Sequence, residues 1–258
     1  MSDLDVVAYN RSAWDRQVQS GNEWTVGATP EMVAAARTGD LSKVVLIGHK
    51  PVERSWFPAT LEGVRILCLA SGGGQQGPLF AAAGAEVTVL DNSPAQLERD
   101  EEVAGREGLT IRTVLGDMRD LSAFADGAFE VVFNPVSNLF CPELEPVWRE
   151  CARVLVPGGT LMCGFMNPDL YIFDFEALER GDFVVRYSIP YSDVESLSEA
   201  QLAARGDYPL EFSHTMTAQI GGQIAAGFAI IGFEEQPHHA DATAKYMPGY
   251  FATLAVKR

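Results

Sequence analysis

Long apolar runs are what this chain most plainly lacks: none approaches the roughly 20 residues that a membrane helix needs, so no spanning segment is expected. Basic charge is also scarce. Lys and Arg number 19 against 35 Asp and Glu, giving a formal net charge of −16, and no Lys/Arg cluster offsets the deficit. Nucleic-acid binding is driven largely by basic side chains that release counterions, so a phosphate backbone is excluded as a partner. The opening MSDLDVVAYNRSAWDRQ has no basic stretch ahead of an apolar one, so no secretory leader is expected and the cytoplasm is the expected compartment. The 4 cysteines, Cys68, Cys141, Cys151 and Cys163, show no C-x-x-C spacing, and Cys68 and Cys163 sit inside apolar runs. They read as reduced core residues, not as disulfide or zinc ligands. His238-His239 with Asp241 looks like a metal cluster, but adjacent histidines in a polar loop after Pro237 read as solvated, and no metal is expected. Low-complexity linkers and internal repeats are absent as well.

The chain does have one dense stretch, VRILCLASGGGQQGPLFAAAGAEVTVLD from Val64 to Asp91. An apolar run, glycines at G-x-G-x-x-G spacing (Gly72, Gly74, Gly77), a helical segment, a second apolar run and an acid follow in order. That order describes a strand, a tight turn, a helix and a second strand whose end can hold a ribose. Gly72 and Gly74 let the backbone approach a ligand closely, and Gly77 allows the helix to pack on the strand. An adenosine-containing cofactor is expected, and on these residues alone a nicotinamide dinucleotide fits as well as any other.

Apolar segments continue to alternate with helical ones, the signature of an α/β chain with a mostly parallel, doubly wound sheet. Strands are predicted at 64–70, 86–91, 110–117, 129–134, 160–166, 228–236 and 250–258. Ser93-Pro94-Ala95-Gln96 reads as a capping box that opens a helix ending near Gly105 or Gly108. A second helix is predicted from Pro142 to Leu155, stopped by Pro157 and Gly158-Gly159. Residues 1–63 are expected to form a helical cap with two helices, the second opened by Thr29-Pro30-Glu31, and residues 64–258 the cofactor-binding domain. An insertion at about 167–215, with a strand at FVVRYSI, is expected to fold over the carboxyl ends of the strands as a lid. The run Gln219 to Phe228 reads as a tightly packed helix.

From Val64 to Met166 the ordered motifs resemble those of the class I S-adenosylmethionine-dependent methyltransferases. The resemblance is carried by Ser71-Gly72-Gly73-Gly74 after strand one, Asp91 ending strand two, and Gly116-Asp117-Met118 ending strand three. It is carried further by Asp126-Gly127-Ala128-Phe129-Glu130 before strand four, and most specifically by Val154-Leu155-Val156-Pro157-Gly158-Gly159-Thr160-Leu161 before strand five. A nicotinamide requires neither the Gly-Asp-Met end of strand three nor the Pro-Gly-Gly turn before strand five. The resemblance implies a seven-stranded Rossmann-like sheet and S-adenosylmethionine as methyl donor. It further implies that Asp91, with Asn92 beside it, binds the ribose, that Asp117 and Met118 hold the adenine, and that Ser71, Gly72, Gly74 and Asn134 face the amino-acid tail. The chain departs from the family at Cys68, where an acid is usual, and at Ala70, where the first glycine is usual. The ammonium contact then falls to Ser71, Asn134, Ser137 or Asn138, or to the segment around Tyr9 and Trp14.

Methyl transfer asks the protein to align an acceptor, exclude water and, for a hydroxyl, remove a proton. His214, in EFSHTMTAQIGG, is the base expected from the sequence, since imidazole titrates near neutral pH. Trp14, Trp24, Trp56, Tyr171, Tyr191 and Tyr246 are candidates to line the acceptor space. The reading is methyl transfer to a small-molecule acceptor, at oxygen, with no nucleic acid and no membrane as partner. A donor-binding protein without catalysis, favoured by Cys68, and a nicotinamide-dependent oxidoreductase are the alternatives.

Overall fold

The computed structural model describes residues 4–238 and 242–258. Its centre is a seven-stranded sheet. We label the strands β1 (Arg65–Leu69), β2 (Glu86–Asp91), β3 (Ile111–Leu115), β4 (Phe129–Asn134), β5 (Leu155–Met166), β6 (Phe228–Gln236) and β7 (Tyr250–Lys257). Across the sheet they run β6-β7-β5-β4-β1-β2-β3. Pairing is parallel from β5 to β3, whereas β7 is antiparallel to both β5 and β6. The order reverses between β1 and β4, which opens a crevice beyond their carboxyl ends.

Each central strand is buried on both faces, and alternation splits its side chains between two cores. Along β1, Ile66 and Cys68 join Leu79, Phe80, Val89 and Phe133 on one side. Leu67 and Leu69 join Leu90, Val132, Trp148 and Leu161 on the other. The covering helices are α1 (Val6–Ser20), α2 (Pro30–Arg37), α3 (Gln76–Ala82), α4 (Pro94–Glu107) and α5 (Glu145–Val154).

Several elements depart in detail from the sequence reading. Only half of the capping box forms: Ser93 Oγ accepts from the Gln96 amide at 3.1 Å, but the Gln96 side chain turns away and its Oε1 has no partner. Helix α5 begins at Glu145, with Pro146 in its first turn, and not at Pro142. FVVRYSI does not become a strand; one isolated bridge, Phe173 to Val185, is all the pairing it makes. Val184 and Val185 are exposed, so the β-branched residues that suggested a strand have no sheet to pack on. The expected helix at 219–228 is a wide turn over Thr217–Gly221 continued by one α-helical turn, Gly222–Ala225.

The segment 167–215 consists of short pieces, among them a helical turn at Phe175–Glu179, a helix at Glu199–Ala204, and strands Tyr191–Ser192 and Phe212–Ser213 paired antiparallel. Helix α1 joins it to the main body. Asn10 Nδ2 donates to the carbonyls of Phe140 (3.0 Å) and Leu210 (3.1 Å), and its Oδ1 accepts from the Leu210 amide at 2.7 Å.

Candidate functional site

The glycine turn is built from below by acids. Gly72 is closely packed: a Cβ there would come within 2.7 Å of the Gln96 Cβ and 3.0 Å of an Asp91 oxygen. The Gly72 amide donates to Asp91 Oδ2 at 2.9 Å, and the Ser93 amide donates to Asp91 Oδ1 at 2.9 Å. Burial raises the Asp91 carboxyl, against these amides, which lower it. Each of its oxygens retains a second lone pair, which is the chemistry that ribose hydroxyls require.

Sequence reading missed a second acid. Asp100, fully buried on α4, accepts at Oδ2 from the amides of Gly73 (3.1 Å) and Gly74 (3.2 Å). It lies close enough to Cys68 for its charge to help push that thiol up, after burial. Cys68 is itself fully buried in β1, and the acid that Asp100 brings from α4 supports the loop without lining the cavity. The sequence held a signal: Asp100 falls at helical spacing between Leu97 and Val103, on the face that α4 buries.

A cavity of about 790 Å³ opens beyond the ends of β1 and β4. Its wall brings together Ser71, Gly72, Asp91, Asn92, Asp117 and Met118 from the sequence expectation. Asp117 is held by Arg119, whose Nη2 lies 2.7 Å from Oδ2. The Asn92 side chain is spent on α1, donating to the Val7 carbonyl at 2.8 Å. Ser71 and Gln96 contribute to the wall, and their Oγ and Oε1 atoms are buried without a hydrogen-bond partner. Orphaned polar atoms beside a carboxylate with spare lone pairs fit a nucleoside with a polar amino-acid tail.

Gly74, Asn134 and His214 are not on that wall. The Gly74 carbonyl instead accepts from the Ala28 amide at 2.7 Å, behind the loop. Asn134, fully buried, turns its Nδ2 to the Leu69 carbonyl (3.0 Å) and Ser137 Oγ (2.8 Å), tying β1 to the turn after β4. His214 Nε2 lies 2.8 Å from the Cys141 carbonyl and 3.2 Å from that of Asn138. Facing two acceptors, this nitrogen carries the proton and donates. Burial lowers the imidazole pKa, against the two carbonyls, which raise it, and the ring braces the 138–141 turn away from the cavity wall. His239 and Asp241 lie outside the described residues. Among the described residues, no group of three or more His, Cys, Asp and Glu is arranged to hold a metal.

Aromatic side chains also line the cavity. Trp14 of α1 meets Phe140 edge-on at 5.0 Å, and Tyr171 and Tyr250 complete much of the wall. Trp24 stands at the rim stacked on His49. Trp56 packs instead with the first core, and Tyr246 is exposed. Tyr191 sits behind Tyr171, with ring centroids 5.4 Å apart.

The methyltransferase domain family matches residues 67–163. An uncharacterised methyltransferase of Bacillus subtilis, YbaJ, is 45% identical over 254 residues, covering 98% of both chains. The sterol 24-C-methyltransferase erg6 of Aspergillus fumigatus is 36% identical over 191 residues, which is 72% of this chain and 45% of that protein. Among solved structures, an S-adenosylmethionine-dependent methyltransferase from Mesorhizobium loti superposes with a TM-score of 0.60 at 19% identity, over 79% of this chain and 95% of that one. At that identity the likeness is one of fold.

Proposed function

The chain belongs to the class I S-adenosylmethionine-dependent methyltransferases, and on that premise we propose that it methylates a small molecule held in the aromatic end of its cavity. The supporting observation is continuity: one space of about 790 Å³ runs from Asp91 and Ser71 to Trp14, Phe140 and Tyr171. Small-molecule sites span roughly 300–1,000 Å³, so this volume lies in the upper part of the range, as sharing by donor and acceptor requires. Helix α1 and the 167–215 segment bond to each other through Asn10 and Leu210, which hinders access by a folded macromolecule. The net charge of −16 likewise disfavours a nucleic-acid acceptor.

When bound, the donor supplies a methyl group on a positively charged sulfur, already a strong electrophile. The rest falls to the chain. Asp91 accepts from the ribose hydroxyls, Asp117 and Met118 flank the adenine, and Ser71 Oγ and Gln96 Oε1 gain the partners they lack. Trp14 and Phe140 align the acceptor and keep water from the transfer point. An oxygen acceptor, the atom expected from the sequence, must also lose a proton, and His214 does not line the cavity in which that proton is released.

Calorimetric titration tests the donor assignment. S-adenosylhomocysteine is expected to bind and NAD not to, and Asp91→Ala is expected to weaken the former by about 100-fold, as loss of charge-assisted hydrogen bonds implies. Equal affinity in wild type and variant would remove Asp91 from the site.

A further inference from the structure

The aromatic end of the cavity contains a carboxylate that nucleoside binding leaves unused. Glu211 and Tyr171 share the wall there, and the Tyr171 hydroxyl donates to Glu211 Oε2 at 3.0 Å. Arg205 Nη2 is 3.6 Å from Glu211 Oε1, but its guanidinium is held closer by Asp193, at 3.3 Å. Asp193 is fully buried and accepts from the Tyr191 hydroxyl (2.7 Å) and the Glu211 amide (2.8 Å). Two carboxylates thus share one guanidinium, and the cluster keeps an excess of negative charge. The Asp193 side chain has 0% exposure and that of Glu211 25%, so the residue with remaining basicity is the one facing the cavity. Burial raises the Glu211 carboxyl and the Asp193 charge adds to this, while Arg205 and the Tyr171 hydroxyl oppose it.

The walls also describe the acceptor. Trp14, Leu139, Phe140 and Met166 offer apolar and aromatic surface. Charged side chains on the wall, among the described residues, are Asp91, Asp117, Glu179 and Glu211 against Arg119. A carboxylate or phosphate on the acceptor would meet like charge.

Resting on the reading of the chain as a small-molecule methyltransferase, we propose that Glu211 is a catalytic base for an uncharged, ring-containing hydroxyl compound, with Tyr171 and Arg205 as positioning residues. The acceptor O–H bond breaks and its proton passes to the Glu211 carboxylate while the oxygen bonds to the methyl carbon. The carbon–sulfur bond breaks with its electron pair left on sulfur, so the sulfonium charge disappears as the carboxylate is neutralised. Charge is conserved, and no further reactant is needed.

The probe for the test is 4-nitrophenol, which ionises near neutral pH and reports its ionisation by absorbance, added to protein saturated with S-adenosylhomocysteine. The wild type is expected to bind the neutral phenol, with loss of phenolate absorbance. E211Q should bind neutral phenol at least about tenfold more weakly, as loss of a hydrogen bond to a charged acceptor implies, while S-adenosylhomocysteine affinity stays unchanged. Y171F should retain binding but move its lower pH limit upward, because Glu211 loses a donor that favours its charged form. That shift would not follow if the tyrosine were only packing, and it serves as the second test should E211Q fail to fold. Unchanged phenol binding in E211Q, retention of the phenolate form by the wild type, or no probe binding to wild type saturated with S-adenosylhomocysteine would each overturn the proposal. Failure of S-adenosylhomocysteine to bind would instead overturn the reading on which it rests.

Discussion

Asp100 is a carboxyl placed where ionisation is costly. Its Oδ1 has no partner and burial pushes its pKa up to about 8, with the Asp91 charge adding to the rise. Between the unfolded value of about 3.9 and the folded one, the native state holds a proton that the unfolded chain has released. Stability from this group is therefore fully present below about pH 4 and is lost as pH rises through the folded pKa, by at most about 1.4 kcal/mol per pH unit. Asp100→Asn keeps an acceptor for the Gly73 and Gly74 amides and removes the titration. The variant should match the wild type near pH 5 and exceed it in urea midpoint at pH 9; parallel pH profiles would show that Asp100 does not titrate in this way. Ala70 offers a second test, since it is the described non-glycine residue with positive φ, at 46°. A left-handed L-residue costs about 1–2 kcal/mol, and the extra unfolded-state entropy of glycine cancels up to about 1. Ala70→Gly should thus raise thermal stability by up to about 1 kcal/mol, and a loss would mean that the methyl group, which packs against the second core, is worth more than the strain.

At the level of elements, His214 shows how one side chain holds a turn. Its Nε2–H serves both the Asn138 and Cys141 carbonyls, and the residues between them form cavity wall. His214→Ala leaves the Cys141 carbonyl without its donor, at roughly 1–3 kcal/mol if water does not enter, whereas the Asn138 carbonyl keeps the Cys141 amide at 3.1 Å. The expected result is a lowered denaturation midpoint with S-adenosylhomocysteine affinity within about threefold of wild type, since Asp91 and the glycine turn stand elsewhere. An unchanged midpoint would show that water replaces the imidazole. The strands were legible in the sequence because β1, β2 and β4 are short apolar runs bounded by turn residues, a pattern imposed by burial on both faces. The glycine-turn end of the cavity, where the donor is proposed to bind, was legible for a related reason: Gly72 and Asp91 lie within one βαβ unit, at a spacing set by the backbone. The acceptor end was not. Glu211 acquires its character from Tyr171, Asp193 and Arg205, contacts between pieces too short to leave a period, and His214 looked reactive because its carbonyl partners lie more than 70 residues away.

Across the whole molecule, α1 is the element that touches both ends of the cavity. Towards the donor end, Asp15 accepts from Ser93 Oγ at 2.6 Å and Arg11 Nε donates to the Asn92 carbonyl at 3.0 Å. Towards the acceptor end, Asn10 makes the Phe140 and Leu210 bonds and Gln17 Nε2 donates to the Asp207 carbonyl at 3.1 Å. Ordering around Asp91 and Ser93 should therefore be transmitted through α1 to residues 207–214, of which Tyr208 and Glu211 line the cavity. Hydrogen exchange measures this directly, since amides whose opening is suppressed by a ligand exchange more slowly in proportion to the stabilisation. Saturating S-adenosylhomocysteine is expected to slow exchange in α1 and, to a smaller extent, across 207–214, although the latter residues are bonded to α1 and not to the glycine turn. The triple variant Asn10→Ala, Arg16→Ala, Gln17→Ala removes the bonds from α1 to Leu210 and Asp207 while leaving Asp15 and Arg11 in place. In that variant protection of α1 should persist and protection of 207–214 should fall away; if 207–214 remain protected, the two ends are coupled by another route, and α1 covers the cavity without linking its halves.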